Sequence, residues 1–231
     1  MDVNEIIFCI QISLCVFFGM FFASRGRSWL LGWLSLLSIV MNIFVLKQVH
    51  LWGLEVTSAD VYMVGMLTSL NYARELYDRE SINEIMLGSW VITMAFLLMT
   101  QLHLALIPSK YDTSQEHFLA LFSPTLRLIL ASLVTMMTVQ VLDGKLFSWL
   151  QKICKYRYFG IRNAMTIAIT QILDTVMFSY LGLYGIVAHL NEVILLALLI
   201  KLSVVAISLP ITVFGGYRKR ALLNNHFAKF P

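Results

Sequence analysis

The sequence predicts an all-α, polytopic integral membrane bundle of about seven spanning helices, because the chain is apolar, poor in charge and divided into long hydrophobic segments. Apolar residues make up 59% of the chain and charged residues 13%, whereas a soluble domain has about 45–50% and about 25%. A helix needs about 20 mostly apolar residues to cross the hydrocarbon core. Segments of this kind lie at 5–23, 29–48, 57–76, 82–106, 119–145, 163–187 and 190–214.

Basic residues are concentrated in alternate loops between these segments and in the C-terminal tail. They are Arg25, Arg27, Arg74, Arg79, Lys145, Lys152, Lys155, Arg157, Arg162, Arg218, Lys219 and Arg220. With seven spans, all of these residues fall on one side of the membrane. Because Lys and Arg collect in cytoplasmic loops, we expect the N-terminus outside and the C-terminus inside.

Local signals indicate where the later segments begin and end. Ser123 can cap a helix, and Pro124 suits the first helical position. A helix that starts at Pro124 places Asp143 about 29 Å along its axis, near the inner membrane boundary. Gly182 and Gly185 favour a break between the last two segments.

The sequence gives no support for catalysis, cofactor binding or metal binding. Its three cysteines, Cys9, Cys15 and Cys154, have neither the spacing of metal ligands nor that of a disulfide framework. No nucleophile–base pattern is present, and the basic charge lies in membrane loops and not on a soluble nucleic-acid-binding module. We therefore expect a protein that is not an enzyme, has no cofactor and binds no nucleic acid directly.

A polar motif occurs twice within the hydrophobic segments. Gln140, Asp143 and Phe147 are repeated 31 residues later as Gln171, Asp174 and Phe178, in the pattern Gln-x-Leu-Asp-x-x-x-Phe. At helical spacing the three side chains of each copy share one face. Two such faces on neighbouring antiparallel helices can converge on one cavity.

Carboxylates, amides and phenyl rings together suit a planar heterocycle rich in hydrogen-bonding groups. Carboxylates accept from ring and exocyclic N–H groups, amides pair with a carbonyl edge, and phenyl rings stack on the ring face. The alternative is that these polar groups form hydrogen bonds between helices that only hold the bundle together. The estimated depth of Asp143 also leaves open whether it shares a site with Asp174.

Lys201 stands out among the other polar residues of the spans. It lies mid-span in an aliphatic segment, where an ionisable group is costly unless it has a partner or a function. Asp174 or Asp143 would neutralise it. Arg127 and Glu75 are also candidates for contact with a substrate. The alternative for Arg127 is a side chain that extends to the membrane interface, and the alternative for Glu75 is local pairing with Arg74 or Arg79.

The order and spacing of short motifs resemble the YhhQ, or VUT, family of queuosine-precursor transporters over roughly residues 38–214. The matching segments are 41–47, which contains Asn42, Phe44 and Lys47; Gly53 and Ala59-Asp60; 70–77, which contains Asn71, Arg74 and Glu75; 126–132 followed by Gln140 and Asp143; 171–175; and Glu192, Lys201 and Leu209-Pro210. Asn71 replaces the Asp of the family pattern and Asp78 replaces a Gly, so a charge at position 71 is in doubt.

The resemblance implies a transporter of the inner (cytoplasmic) membrane that imports 7-deazaguanine precursors of queuosine, a tRNA modification. It further implies an accessory helix and loop at 1–28, a six-helix core at 29–216 and a basic cytoplasmic tail at 217–231. The expected partners are a small nucleobase-like molecule, the lipid bilayer and a second copy in a homodimer. The expected substrate-binding residues are Asn42, Phe44, Asn71, Glu75, Arg127, Gln140, Asp143, Phe147, Gln171, Asp174, Phe178 and Lys201.

Three other functions are compatible with the same sequence. The first is a substrate-binding membrane subunit of an energy-coupling-factor importer for a vitamin or nucleobase, which would need an ATPase partner. The second is a membrane enzyme acting on a lipid, for which the chain lacks a catalytic constellation. The third is a purely structural membrane subunit.

Overall fold

A computed structural model describes residues 3–45, 47–57, 59–122, 126–185 and 190–227, and shows an all-α bundle with one short β-hairpin. The elements in chain order are α1 (Val3–Arg25), α2 (Arg27–Phe44), β1 (Gln48–Leu51), β2 (Leu54–Thr57), α3 (Asp60–Ala73), α4 (Arg79–Leu104), α5 (Gln115–Phe122), α6 (Leu126–Ile153), α7 (Phe159–Phe178) and α8 (Leu190–Phe227). A π-helical segment, Ser179–Leu183, extends α7. The antiparallel strands pair Gln48 with Thr57 and Leu51 with Leu54.

Within the described ranges, six helices are long and apolar enough to cross a membrane. They are Val3–Arg25, Arg27–Phe44, Arg79–Leu104, Leu130–Ile153, Phe159–Leu183 and Val193–Gly215. Their outward faces expose large apolar side chains such as Leu87, Val91 and Leu98 of α4, as expected where lipid is the solvent. The predicted polytopic helical membrane fold is therefore confirmed.

The predicted span at 57–76 differs from the other six in length and surroundings. It forms α3, a helix of 14 residues whose positions 61–73 are all buried. At 1.5 Å per residue it is about 21 Å long, shorter than the hydrocarbon core. Its apolar character comes from its central position, because it packs against α1, α2, α6, α7 and α8 and not against lipid.

The predicted span at 119–145 is divided between two helices and continues further than expected. The short α5 ends at Phe122, and α6 runs from Leu126 to Ile153. Asp143 therefore lies 10 residues before the end of α6, and its depth in the membrane remains a prediction. The predicted cap at Ser123 and Pro124 lies outside the described residues.

Residues beside the loops after α1 and α3, both predicted to be cytoplasmic, meet at one end of the bundle, which we call the basic end. The Tyr77 hydroxyl donates to the Ala23 carbonyl at 2.7 Å, and Arg27 lies 4.0 Å from Glu84. The opposite end, the hairpin end, carries β1 and the start of α1, where the Asn4 amide donates to the His50 carbonyl. Which end faces the cytoplasm remains a prediction.

The start of α4 shows how the chain turns at the basic end. The Asp78 carboxylate caps the helix by accepting from the Ser81 backbone N–H at 3.0 Å and from the Ser81 hydroxyl at 2.6 Å. These hydrogen bonds stabilise the charged carboxylate and lower the pKa of Asp78. Asp78, a departure from the resembled family pattern, thus has a local structural role.

Candidate functional site

Two carboxylates from different helices contact the buried ammonium of Lys201 on α8. Asp174 of α7 forms a short ion pair with Lys201 Nζ, and Asp60 in the first turn of α3 approaches the same atom at 3.5 Å. Lys201 is 6% exposed. The predicted partnership of Lys201 with Asp174 is confirmed, whereas the contact with Asp60 was not predicted. We call these three residues the lysine cluster.

Gln171 lies one turn before Asp174 on α7 and is fully buried. Among the described residues, neither its amide nitrogen nor its amide oxygen has a hydrogen-bond partner. A buried amide without partners costs about 1–3 kcal/mol, so such groups require an explanation. Gln171 can donate and accept at once, which matches the edge of a lactam or amidine ring.

A second buried network, the arginine cluster, lies nearer the basic end. Arg74, which follows α3, donates to Asp143 at 2.8 Å and to the Asn71 side-chain oxygen at 2.6 Å. The Asn71 amide in turn donates to Asn163 at 3.0 Å. The Thr170 hydroxyl reaches Asp143 at 3.5 Å. Asn71 therefore acts as a neutral bridge, and the charge expected at this level is supplied by Asp143.

The two clusters flank Gln171 along α7. Thr170 contacts the arginine cluster, whereas Asp174 belongs to the lysine cluster, and the two residues are one turn or about 6 Å apart along the helix. Asp143 and Asp174 thus have separate cationic partners. The sequence left open whether the two carboxylates share one site, and it did not identify Arg74 as the partner of Asp143.

The two glutamines of the repeat also differ in environment. Gln140 accepts from the Trp90 indole at 2.6 Å and its amide nitrogen contacts the Met66 sulfur at 3.1 Å. Both polar ends of this amide are therefore occupied. Among the residues that the structure describes, both polar ends of its counterpart Gln171 lack a partner.

Glu75 forms the third buried ion pair, close to the basic end. Arg162 of α7 donates to Glu75 at 2.8 Å, and the Gln151 amide donates to the same oxygen at 3.1 Å. The Arg162 guanidinium also lies 5.0 Å from the centre of the Phe147 ring, within the range of a cation–π contact. Local pairing of Glu75 with Arg74 or Arg79 was the alternative to a role in substrate binding, and the structure shows an ion pair with Arg162, which is distant in sequence.

The remaining predicted residues have individual surroundings. Asn42 accepts from the Ser132 hydroxyl at 3.1 Å, and Phe44 packs against Tyr62 with ring centres 5.9 Å apart. Arg127 donates to the carbonyls of Leu181 and Tyr184 at 2.8 and 2.9 Å, which satisfies the end of the π-helical segment. Phe178 is half-buried beside Gly182. Phe147 is fully buried, with Phe159 at its edge.

Sequence reasoning did not nominate Asp60, Arg74, Trp90, Arg162 or Asn163. Asp60 was noted only as part of the family resemblance, and Arg162 was grouped with the basic loop residues, although it is only 1% exposed. The helical spacing of Arg162, Asn163 and Thr166 on one buried face of α7 was the available signal.

Comparison with known proteins gives one family and one relative. The family described as "Putative vitamin uptake transporter" matches residues 57–215. A Bacillus subtilis (strain 168) protein named "Probable queuosine precursor transporter" is 29% identical over 197 residues, which are 83% of this chain and 85% of that protein. No solved structure matches the chain. The matched segment contains the lysine cluster, Gln171 and the arginine cluster, and the chain belongs to this family of multi-pass membrane transporters, which are not enzymes.

Proposed function

We propose that this transporter imports a 7-deazaguanine precursor of queuosine, such as 7-cyano-7-deazaguanine, 7-aminomethyl-7-deazaguanine or queuine, across the inner membrane. The observation that carries the proposal is the buried Gln171 amide, unpaired among the described residues and one turn from the lysine cluster. The name of the Bacillus relative supports the same substrate class.

A 7-deazaguanine offers groups that complement these side chains. Its N1–H and 2-amino group are donors that suit the carboxylate of Asp174 or Asp60, and its carbonyl is an acceptor for Lys201 or for the Gln171 amide nitrogen. Binding would exchange part of the ion pairing within the lysine cluster for hydrogen bonds to the ligand. Phe178, half-buried on the same helix, is the nearest aromatic residue of the repeat to this position in sequence.

The structure favours the lysine cluster over the arginine cluster as the binding site. Asp143 is fully buried and already accepts from Arg74, Asn71 and Thr170. The Gln140 amide is likewise occupied at both ends. We therefore assign the arginine cluster to the stability and movement of the bundle and the lysine cluster with Gln171 to the ligand.

A ligand panel on the purified protein tests the substrate class. We expect at least one of the three 7-deazaguanines to raise the melting temperature, since a ligand that binds only the folded state stabilises it by about 2.7 kcal/mol at 100 times its Kd. Thiamine, a cationic vitamin without a guanine-like edge, is the control. A shift with thiamine and none with the 7-deazaguanines would refute the assignment.

Uptake by cells tests whether the same residues carry the function. Cells that express Asp174→Ala or Lys201→Ala should take up less labelled precursor than cells with wild-type protein. Lys110→Ala, which changes an exposed residue of the α4–α5 loop, should leave uptake unchanged. Wild-type uptake by both cluster variants at equal membrane expression would contradict the proposal.

A further inference from the structure

A cleft of about 560 Å³ opens at the basic end between the residues after α3, the start of α4 and the last turns of α6. Four of its lining side chains are cationic: Arg74, Arg79, Lys145 and Lys152. In the part of the chain that the structure describes, no carboxylate lines the cleft. The cleft therefore presents a concentration of positive charge that is suited to an anion.

Most of this positive charge is free to meet a ligand. Arg79, Lys145 and Lys152 are exposed, and within the described ranges none of them forms an ion pair. Lys145 and Lys152 are seven residues apart on α6, so they project from the same face two turns apart. Two ammonium groups at this spacing can contact one phosphate group together with the arginines.

Apolar residues line the same cleft next to the cations. Trp149 is 57% exposed and Val141 is 40% exposed, and both contribute to the lining. Trp149 lies between the two lysines near the end of a spanning helix, where tryptophan marks the boundary between headgroups and hydrocarbon. A free anion gains nothing from these apolar groups, whereas a phospholipid can place its acyl chains along them.

We propose that the cleft is a binding site for the phosphate group of an anionic phospholipid such as phosphatidylglycerol. Basic pockets between spanning helices at the cytoplasmic boundary are a recognised way of holding acidic headgroups. The exposed Lys145 and Lys152 supply most of the attraction, and Trp149 and Val141 contact the chains. The proposal does not depend on which solute the protein carries.

The site also has a direct connection to the arginine cluster. Arg74 lines the cleft, and its Nη1 donates to Asp143 while its Nη2 donates to the Gln140 carbonyl at 3.2 Å. A bound phosphate gives this guanidinium a second anionic acceptor. Lipid in the cleft would then compete with Asp143 for Arg74, which couples the surrounding membrane to the interior of the bundle.

Native mass spectrometry of the full-length protein in a neutral detergent tests the proposal. Dioctanoyl phosphatidylglycerol, dioctanoyl phosphatidylcholine and inorganic phosphate are titrated separately against wild-type protein and two variants. The test variant is Lys145→Ser/Lys152→Ser. The control is Lys155→Ser/Arg157→Ser, which removes the same charge from exposed positions in the α6–α7 loop that do not line the cleft.

We expect wild-type protein to bind phosphatidylglycerol more tightly than it binds phosphatidylcholine or inorganic phosphate. The test variant should bind phosphatidylglycerol more weakly than wild-type protein by a factor of about ten or more. The control variant should change the affinity less than threefold. Equal losses in both variants would show that only general surface charge matters and would overturn the site. Inorganic phosphate binding as tightly as the lipid would overturn the lipid assignment in favour of a soluble anion.

Discussion

Replacement of the unpaired Gln171 amide should improve stability while it damages binding. Leucine has a similar volume and no polar atoms, so Gln171→Leu removes a desolvation penalty of about 1–3 kcal/mol from the unliganded protein. The same change would remove the two hydrogen bonds that we propose to the ligand, at about 0.5–1.5 kcal/mol each. A total loss of about 1–3 kcal/mol weakens the Kd by about 5-fold to 150-fold.

Two measurements on the same preparations separate these effects. Thermal unfolding without ligand should give a melting temperature for Gln171→Leu equal to or above that of wild-type protein, and precursor binding should be weaker. Gln101→Leu, which alters an exposed amide on α4, should change neither quantity appreciably. A clearly lower melting temperature for Gln171→Leu with unchanged binding would refute the reasoning, because the amide would then be a structural group.

The charged clusters and one glycine give further predictions. Lys201→Met leaves the carboxylates of Asp60 and Asp174 without their cation and should destabilise the protein by about 3–5 kcal/mol, which a lower melting temperature would show. Adding Asp174→Asn should restore part of the lost stability. Strictly additive effects of the two substitutions would contradict the pairing. A Cβ at Gly144 would lie 2.6 Å from Arg74 Nη2, so Gly144→Ala should displace the guanidinium from Asp143 and reduce uptake. Gly32→Ala, with open space around it, should be neutral in the same uptake assay, and equal losses in both glycine variants would argue against a specific effect on Arg74.

The membrane fold could be predicted from the sequence because it depends on the hydrophobicity of continuous segments and on the charge of the loops between them, which can be read without knowing tertiary contacts. Hydrophobic length identified six long helices, and the distribution of basic residues identified loops that meet at one end. The position of α3 was harder to predict, because a helix buried among other helices is as apolar as one that faces lipid. Only its length of 14 residues distinguishes it.

The candidate site was predicted in part, and the failures have a common physical cause. Lys201 and Asp174 were recognisable because a charge in the middle of an apolar segment needs a partner. Arg162 and Asp60 sit at helix ends, where a charge is inexpensive in an isolated helix. Their burial results from tertiary packing, which no local pattern encodes. The repeat drew attention to Gln171 and Gln140 alike, and it gave no indication that Gln140 would be bonded to Trp90.

The end of α6 lies further along the chain than the sequence predicted. The apolar segment was expected to end near residue 145, and only a start at Pro124 was used to estimate the depth of Asp143. The helix continues to Ile153 with Lys145 and Lys152 exposed on its surface, which long basic side chains permit near membrane boundaries.

Import by the purified chain alone into liposomes tests the central claim most directly. Wild-type protein should accumulate labelled 7-cyano-7-deazaguanine faster than empty liposomes, unlabelled precursor should compete, and Gln171→Leu should slow the import at equal reconstitution. Absence of import by correctly folded wild-type protein, or import that appears only when an ATPase partner and ATP are supplied, would contradict the account of a self-sufficient transporter.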